Sequence, residues 1–342
     1  LKVGILSGGG DAPGINAVIR AVVRKGIKQY GDKILGIKDG WSGLLDSAYV
    51  SLDFNAVSGI LPRGGSILGT SRTNPFKREK GAEKIMENAK EAGLEAVVVI
   101  GGDDTLSVAH KMAEFGLKCV GAPKTIDNDL SGTDYTFGFN TAVTIATDAL
   151  DKLHTTAETH HRVIILEVMG RYTGWIAVEA GLAGGADMVL IPERPFDIDE
   201  VCEFIKRRQA RGRTFSLIVV AEGAKPKGGV EIVYSESLDE FGHIRLGGVG
   251  YYLGKEIEKC MPAETRVVVL GHLQRGGSPT PFDRILATRF GVAAIDHVHQ
   301  KKFDQMVAIK GNKMTSLPLK DVVGKRKTVD LELYDIASVF FG

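Results

Sequence analysis

An α/β fold of two doubly wound, mostly parallel sheets, with the functional cleft between them, is what this sequence predicts. Three observations carry that expectation. Short β-branched runs recur at Val3 to Leu6, Ile34 to Ile37, Ala96 to Ile100, Val163 to Val168, Met188 to Ile191, Phe215 to Ala221 and Val267 to Leu270. Segments with helical spacing lie between them, at Ile15 to Gln29, Lys80 to Ala92, Thr105 to Phe115, Thr141 to Glu158, Asp199 to Gln209 and Gly248 to Cys260. Polar or glycine-rich stretches follow several strand runs directly, which is where open parallel sheets bind their ligands.

A chain of 342 residues is long enough for two such sheets, each with a core of its own. No linker rich in Pro, Gly and Ser divides it, and no repeat is evident, so the boundary has to be inferred from the strand pattern. One domain is expected to comprise residues 1–138 plus about 278–312, the other 139–277 plus a C-terminal segment of about 313–342. The net charge of +1 supplies no overall field for nucleic acid or an anionic membrane, so anion binding has to come from local arrangement. Cys119, Cys202 and Cys260 are odd in number and far apart, which reads as bystander thiols in a reducing compartment and as neither a disulfide framework nor a zinc site. The apolar runs are strand-sized, and Leu1 to Leu6 enters a glycine run without a secretory leader, so a cytoplasmic protein is expected.

The first strand run opens into Ser7-Gly8-Gly9-Gly10-Asp11-Ala12-Pro13-Gly14, with a helix from about Ile15. Glycines there let backbone N–H groups point at an anion, and the helix start adds partial positive charge. The loop fits neither the dinucleotide fingerprint nor the Walker pattern, so a phosphate cradle and a plain tight turn both remain open. Gly101-Gly102-Asp103-Asp104-Thr105 repeats the strand-to-helix layout, and Asp103 is the candidate for magnesium. The competing use of these carboxylates is to cap the helix. Pro123-Lys124-Thr125-Ile126-Asp127-Asn128-Asp129 places two carboxylates at i and i+2 beside a lysine and a hydroxyl. If Asp127 faces an alcohol, it can take the proton as that oxygen attacks phosphorus, with Asp129 raising its basicity. A solvated acidic loop is the alternative. Arg171 in Met169-Gly170-Arg171, Glu222, Arg266, and His272 with Arg275 all fall at ends of strand runs. The arginines read as clamps for phosphate oxygens gathered at one end of the sheet.

Together these residues resemble the phosphofructokinase family from Val3 to about Ile295. Gly9 to Asn16 is similar to its first phosphate loop and Thr125 to Asp129 to its catalytic loop. Glu167 to Arg171 and Gly271 to Gly277 also match. The resemblance implies that Asp127 is the base acting on the 1-hydroxyl of fructose 6-phosphate, that Asp103 holds Mg2+, and that Arg171 stabilises the phosphoryl group in flight. Thr125, Asp129, Met169, Gly170 and Glu222 would surround the sugar, while His272 and Arg275 grip its phosphate. Arg162 and Arg266 would reach into a neighbouring subunit, making the enzyme a homodimer or homotetramer with shared active sites. On the donor side, Gly9, Gly10, Arg72, Gly102, Asp104, Thr105 and Lys124 are expected.

Two of those positions separate the donors. ATP-dependent members resemble a pattern with glycine where this chain has Asp104 and Lys124, and pyrophosphate-dependent members resemble what stands here. An aspartate would intrude on the α-phosphate and ribose of a nucleotide, whereas a lysine adds positive charge beside compact pyrophosphate. A pyrophosphate enzyme is therefore expected, and it should run in both directions. An ATP-dependent enzyme that tolerates Asp104 and a non-catalytic regulatory subunit on the same fold are the alternatives.

Overall fold

The computed structural model describes residues 1–229, 232–235, 240–243 and 245–341. Its strands are β1 (Lys2–Ser7), β2 (Lys33–Ile37), β3 (Tyr49–Leu52), β4 (Ala96–Gly101), β5 (Cys119–Thr125), β6 (Phe137–Gly138), β7 (Val163–Val168), β8 (Met188–Leu190), β9 (Ser216–Ala221), β10 (Val233–Ser235), β11 (Arg245–Leu246), β12 (Thr265–Val269), β13 (Gln305–Lys310) and β14 (Lys313–Pro318). The helices are α1 (Ile15–Lys25), α2 (Trp41–Leu45), α3 (Gly81–Glu91), α4 (Asp103–Glu114), α5 (Phe139–His160), α6 (Trp175–Ala183), α7 (Ile198–Ala210), α8 (Val249–Cys260), α9 (Pro281–His299) and α10 (Leu331–Ser338).

The first sheet runs β14-β13-β5-β4-β1-β2-β3, with β6 added beside β5. Its interior strands are parallel, and only the outer pairs β2–β3 and β13–β14 are antiparallel. Because both faces are covered, its central strands are largely apolar: β4 is buried at every position. Helices α1 and α9 cover one face and α3 and α4 the other. The second sheet, β12-β7-β9-β8, is wholly parallel and lies between α5 with α6 on one face and α7 with α8 on the other. Ala12 and Ile126, from loops of the first sheet, belong to the second sheet's core, so the two halves share a floor beneath the cleft. Among the described residues no helix is long and apolar enough to cross a membrane.

Two expectations are corrected here. Lys313–Pro318, assigned from the sequence to the second domain, forms the edge strand of the first sheet, because Lys310 and Lys313 close a tight hairpin that keeps β14 on β13. Only the stretch beyond it reaches the second sheet, where Tyr334 of α10 donates from its hydroxyl to Val189 O. The cysteines are not all bystanders: Cys202 on α7 and Cys260 on α8 form a disulfide, leaving Cys119 as the free, buried thiol. Spacing could not show the bridge, since the partners are 58 residues apart and meet only because α7 and α8 pack side by side.

Closing a loop of that length should stabilise the fold by about 2–4 kcal/mol. Thermal melts of Cys202→Ser/Cys260→Ser are expected to show a lower midpoint, and added reductant to lower the wild-type midpoint to the same value. Unequal midpoints would mean that the bridge is not what reductant acts on.

Candidate active site

The carboxyl ends of the two sheets face each other across a cleft of about 660 Å³. Each wall is a set of strand ends, so a side chain placed just after a strand projects into the opening without a loop of its own to hold it. Sixteen of the expected residues line it: Gly9, Gly10, Arg72, Gly102, Asp103, Asp104, Thr105, Lys124, Thr125, Asp127, Asp129, Met169, Arg171, Glu222, His272 and Arg275. Gly170 does not. With φ 143° it makes the turn that lets Thr173 N bond its carbonyl oxygen.

On the first sheet's side of the cleft, the loop after β1 is held from beneath. Lys124, 3% exposed, donates from Nζ to Gly8 O at 2.8 Å and to Gly10 O. Burial, with Arg275 next in importance, pushes its pKa down to about 7. From above, Thr70 Oγ1 donates to Gly9 O at 2.6 Å, and Gly9 N donates to Ser71 O, bringing Arg72 to the rim. Gly9 needs its positive φ of 80°, and a Cβ at Gly10 would stand 2.6 Å from Arg275 Nη1, so the guanidinium rests where a side chain at Gly10 would displace it. Arg275 Nη1 reaches the same loop, donating to Asp11 O at 3.2 Å.

Asp103 and Asp104 do not cap α4, whose N-cap is Gly102; they occupy its first turn. That answers the capping alternative and leaves both carboxylates for the cleft. Asp103 Oδ1 accepts from Gly324 N at 2.8 Å, and burial raises its pKa. Asp104 Oδ1 lies 3.0 Å from His243 Nε2, and its Oδ2 lies 4.0 Å from Arg171 Nη1. Neither His243 nor the lining residue Leu246 was foreseen. They come from the segment around β11, which has no periodic pattern to mark it.

The centre is the turn after β5. Asp127 N donates to Thr125 Oγ1 at 3.0 Å, and Asn128 adopts a left-handed φ of 51° that lets Asp127 and Asp129 both reach the cleft. Asp127 Oδ1 is buried and accepts no hydrogen bond among the described residues, an expensive state for an acceptor. Around it, burial and the charge of Asp127 push Asp129 and Glu222 up to about 7. Glu222 Oε1 accepts from Arg171 N at 2.9 Å, which fixes the positive-φ turn that aims the arginine. Met169 N donates to Gln274 Oε1 at 2.9 Å, tying the β7 end to the β12 end. Glu167 serves as a brace: its two oxygens accept from Gly248 N and Gly250 N at the start of α8.

Arg162 and Arg266 are not in the cleft. They stand at the opposite ends of β7 and β12, where Arg162 Nε pairs with Glu264 at 2.9 Å and Arg266 with the same carboxylate. The expectation that Arg266 shares one end of the sheet with the other arginines is therefore wrong, because it opens its strand and they follow theirs.

The Glu222 shift has a definite sign. Between its ordinary 4.5 and its folded value of about 7, the fold holds a proton that the unfolded chain has released. Stability from this group is present at low pH and lost as pH rises through about 7. Glu222→Gln should leave the thermal midpoint nearly unchanged at about pH 4.5 and raise it above wild type at about pH 8. A pH-independent difference would contradict the burial.

Comparison with known proteins places these motifs in context. A family model described as Phosphofructokinase matches residues 2–298. The chain is 56% identical to pyrophosphate–fructose 6-phosphate 1-phosphotransferase of Streptomyces coelicolor, with all of both chains covered. It is 50% identical to ATP-dependent 6-phosphofructokinase 3 of the same organism over 96% of each. The crystal structure of a pyrophosphate-dependent phosphofructokinase from Nitrosospira multiformis superposes with a TM-score of 0.84 over 96% of this chain and 86% of that one; at 22% identity it speaks to the fold alone. Full-length identity of this order, together with a matched model spanning both sheets, shows that the chain belongs to the phosphofructokinase family.

Proposed function

We propose that the cleft transfers a phosphoryl group from pyrophosphate to the 1-hydroxyl of fructose 6-phosphate, reversibly, giving fructose 1,6-bisphosphate and orthophosphate. The observation that carries the chemistry is the buried, unbonded Oδ1 of Asp127. It takes the hydroxyl proton while the sugar oxygen forms its bond to phosphorus and the bridging P–O bond of the donor breaks. In the reverse direction the same carboxyl returns that proton. Asp129 and Glu222, shifted toward their neutral forms, can donate to sugar hydroxyls without adding charge around Asp127. His272 and Arg275 take the 6-phosphate, and Arg171 the transferred group.

The donor assignment rests on Asp104 and Lys124. Asp104, paired with His243, takes up space at the start of α4, and Lys124, expected to face pyrophosphate directly, instead braces the glycine loop from beneath through the Gly8 and Gly10 carbonyls. The relative named as a pyrophosphate enzyme is also the more similar of the two reported, 56% against 50% identical. Mg2+ fits Asp103. Its carboxylate is disfavoured by burial and by Asp104, so a dication would relieve it, and one protein carboxylate completed by substrate and water oxygens is an ordinary magnesium site. The ion would neutralise charge on the phosphoryl oxygens. Arg162 and Arg266, at the far end of the second sheet, are assigned to the active site of a neighbouring subunit in a dimer or tetramer.

Initial rates with fructose 6-phosphate and Mg2+, given pyrophosphate or ATP in parallel, test the donor. Turnover is expected with pyrophosphate, together with a measurable reverse reaction from fructose 1,6-bisphosphate and orthophosphate. Turnover with ATP alone would reject the assignment. Asp127→Ser should lower kcat roughly a thousandfold. Mixing inactive Asp127→Ser with inactive Arg162→Ala should restore activity if subunits share sites, and should not if each site is self-contained.

A further inference from the structure

The chain returns to the catalytic turn once more, from a segment that lies beyond residue 298, where the match to the family model ends. After β14, residues 324–329 run beneath the cleft and bond to both halves of the molecule. Gly324 N donates to Asp103 Oδ1 at 2.8 Å, and Lys327 N donates to Asp129 O at 2.8 Å. On the other side, Trp175 Nε1 donates to Lys327 O at 3.0 Å, and Val329 N donates to Glu193 Oε1 at 3.0 Å.

The side chain of Lys327 points into the catalytic turn. Its ammonium donates to Asn128 Oδ1, Thr133 O and Asp134 O, each at 2.9 Å, which uses all three of its protons. The Trp175 ring lies 5.2 Å from it on the far side. Asn128 is the left-handed residue between Asp127 and Asp129, and its Oδ1 also accepts from Thr136 N at 3.1 Å. Because Asp127 Oδ1 is held by no hydrogen bond among the described residues, its backbone and packed neighbours decide where that oxygen points. A left-handed asparagine is an uncommon conformation that persists when its surroundings over-determine it, and here Lys327 is the charged part of those surroundings.

We propose that Lys327 is a positioning residue for phosphoryl transfer: through Asn128 it fixes the turn that presents Asp127 to the sugar hydroxyl and sets Asp129 beside it. The inference rests on the phosphoryl-transfer reading of the cleft. It assigns to a C-terminal segment beyond the matched family model a part in orienting residues within it. Lys327 touches no substrate in this role. Its effect is on the geometry of the base, so it belongs to kcat and leaves substrate affinity nearly alone.

Steady-state kinetics of Lys327→Met, Asn128→Gly and the double variant, in both reaction directions and beside wild type, test this. Glycine at 128 keeps the left-handed backbone accessible while removing the side-chain acceptor. Each single variant should lose ~100-fold in kcat, the scale of a misplacement of about 1 Å, with both substrate KM values within ~3-fold of wild type. The double variant should lose no more than the worse single, since both break one linkage. Propylammonium added to Lys327→Ala should recover part of the turnover, which a role confined to stability would not produce. The proposal is overturned if kcat stays within ~3-fold of wild type, if the two losses add, or if the loss vanishes once rates are referred to folded protein. Should a lysine variant fail to fold, Asn128→Gly carries the test alone, and unchanged kcat there overturns it equally. An inactive wild type would instead sink the functional reading on which the proposal stands.

Discussion

The arrangement depends on one buried amine. Lys124, at the end of β5, has its Nζ between the carbonyl oxygens of Gly8 and Gly10, so the strand that leads into the catalytic turn also sets the glycine loop after β1. That loop is the surface on which Arg275 from the second sheet rests. The glycine loop, the Asp127 turn and Arg275 are thereby placed relative to one another through contacts of hydrogen-bond length. Removing the amine would leave two inward-facing carbonyls without their donor and would loosen a loop on which Arg275 from the second sheet rests.

Burying such groups is costly, and the site shows the cost in the direction of its shifts. Lys124 and Lys327 are pushed down, to about 7 and about 8, while Asp129 and Glu222 are pushed up to about 7. Each buried group is moved toward its neutral form, as desolvation requires. The sheets on either side offset this with continuous apolar strands such as β4 and β9, buried at every position. A site made of strand ends on two such sheets can hold strained and desolvated groups because the elements carrying them have little freedom to relax.

Most of the wall residues were legible because they follow strand runs. The β-branched stretches at 96–100 and 163–168 located β4 and β7, and the carboxylates after the first and Arg171 after the second fell where parallel sheets bind ligands. Where the reading failed, the missing information was tertiary. Arg266 was grouped with the clamp arginines because both lie at strand ends, but which end a residue occupies depends on whether it opens or closes its strand. Helix α9 was not expected, although Thr280 and Pro281 mark its start, Thr280 Oγ1 accepting from Asp283 N. His243 approaches Asp104 from a stretch without periodicity, and Cys202 meets Cys260 only across a helix–helix contact.

By itself the sequence determined the kind of chemistry. Asp127 and Asp129 flank one residue, glycine runs follow β1 and β4, and Asp104 and Lys124 stand beside those runs, all of which are matters of residue type and order. Tertiary structure decided which of those groups meet and in what state of charge. Only packing shows that Lys124 is spent on loop carbonyls, that Asp127 keeps an oxygen unbonded, and that a lysine 200 positions later, Lys327, grips the residue between the two aspartates. The physical reason is that burial and hydrogen-bond partnership are properties of the surroundings, and those surroundings come from parts of the chain far apart in sequence.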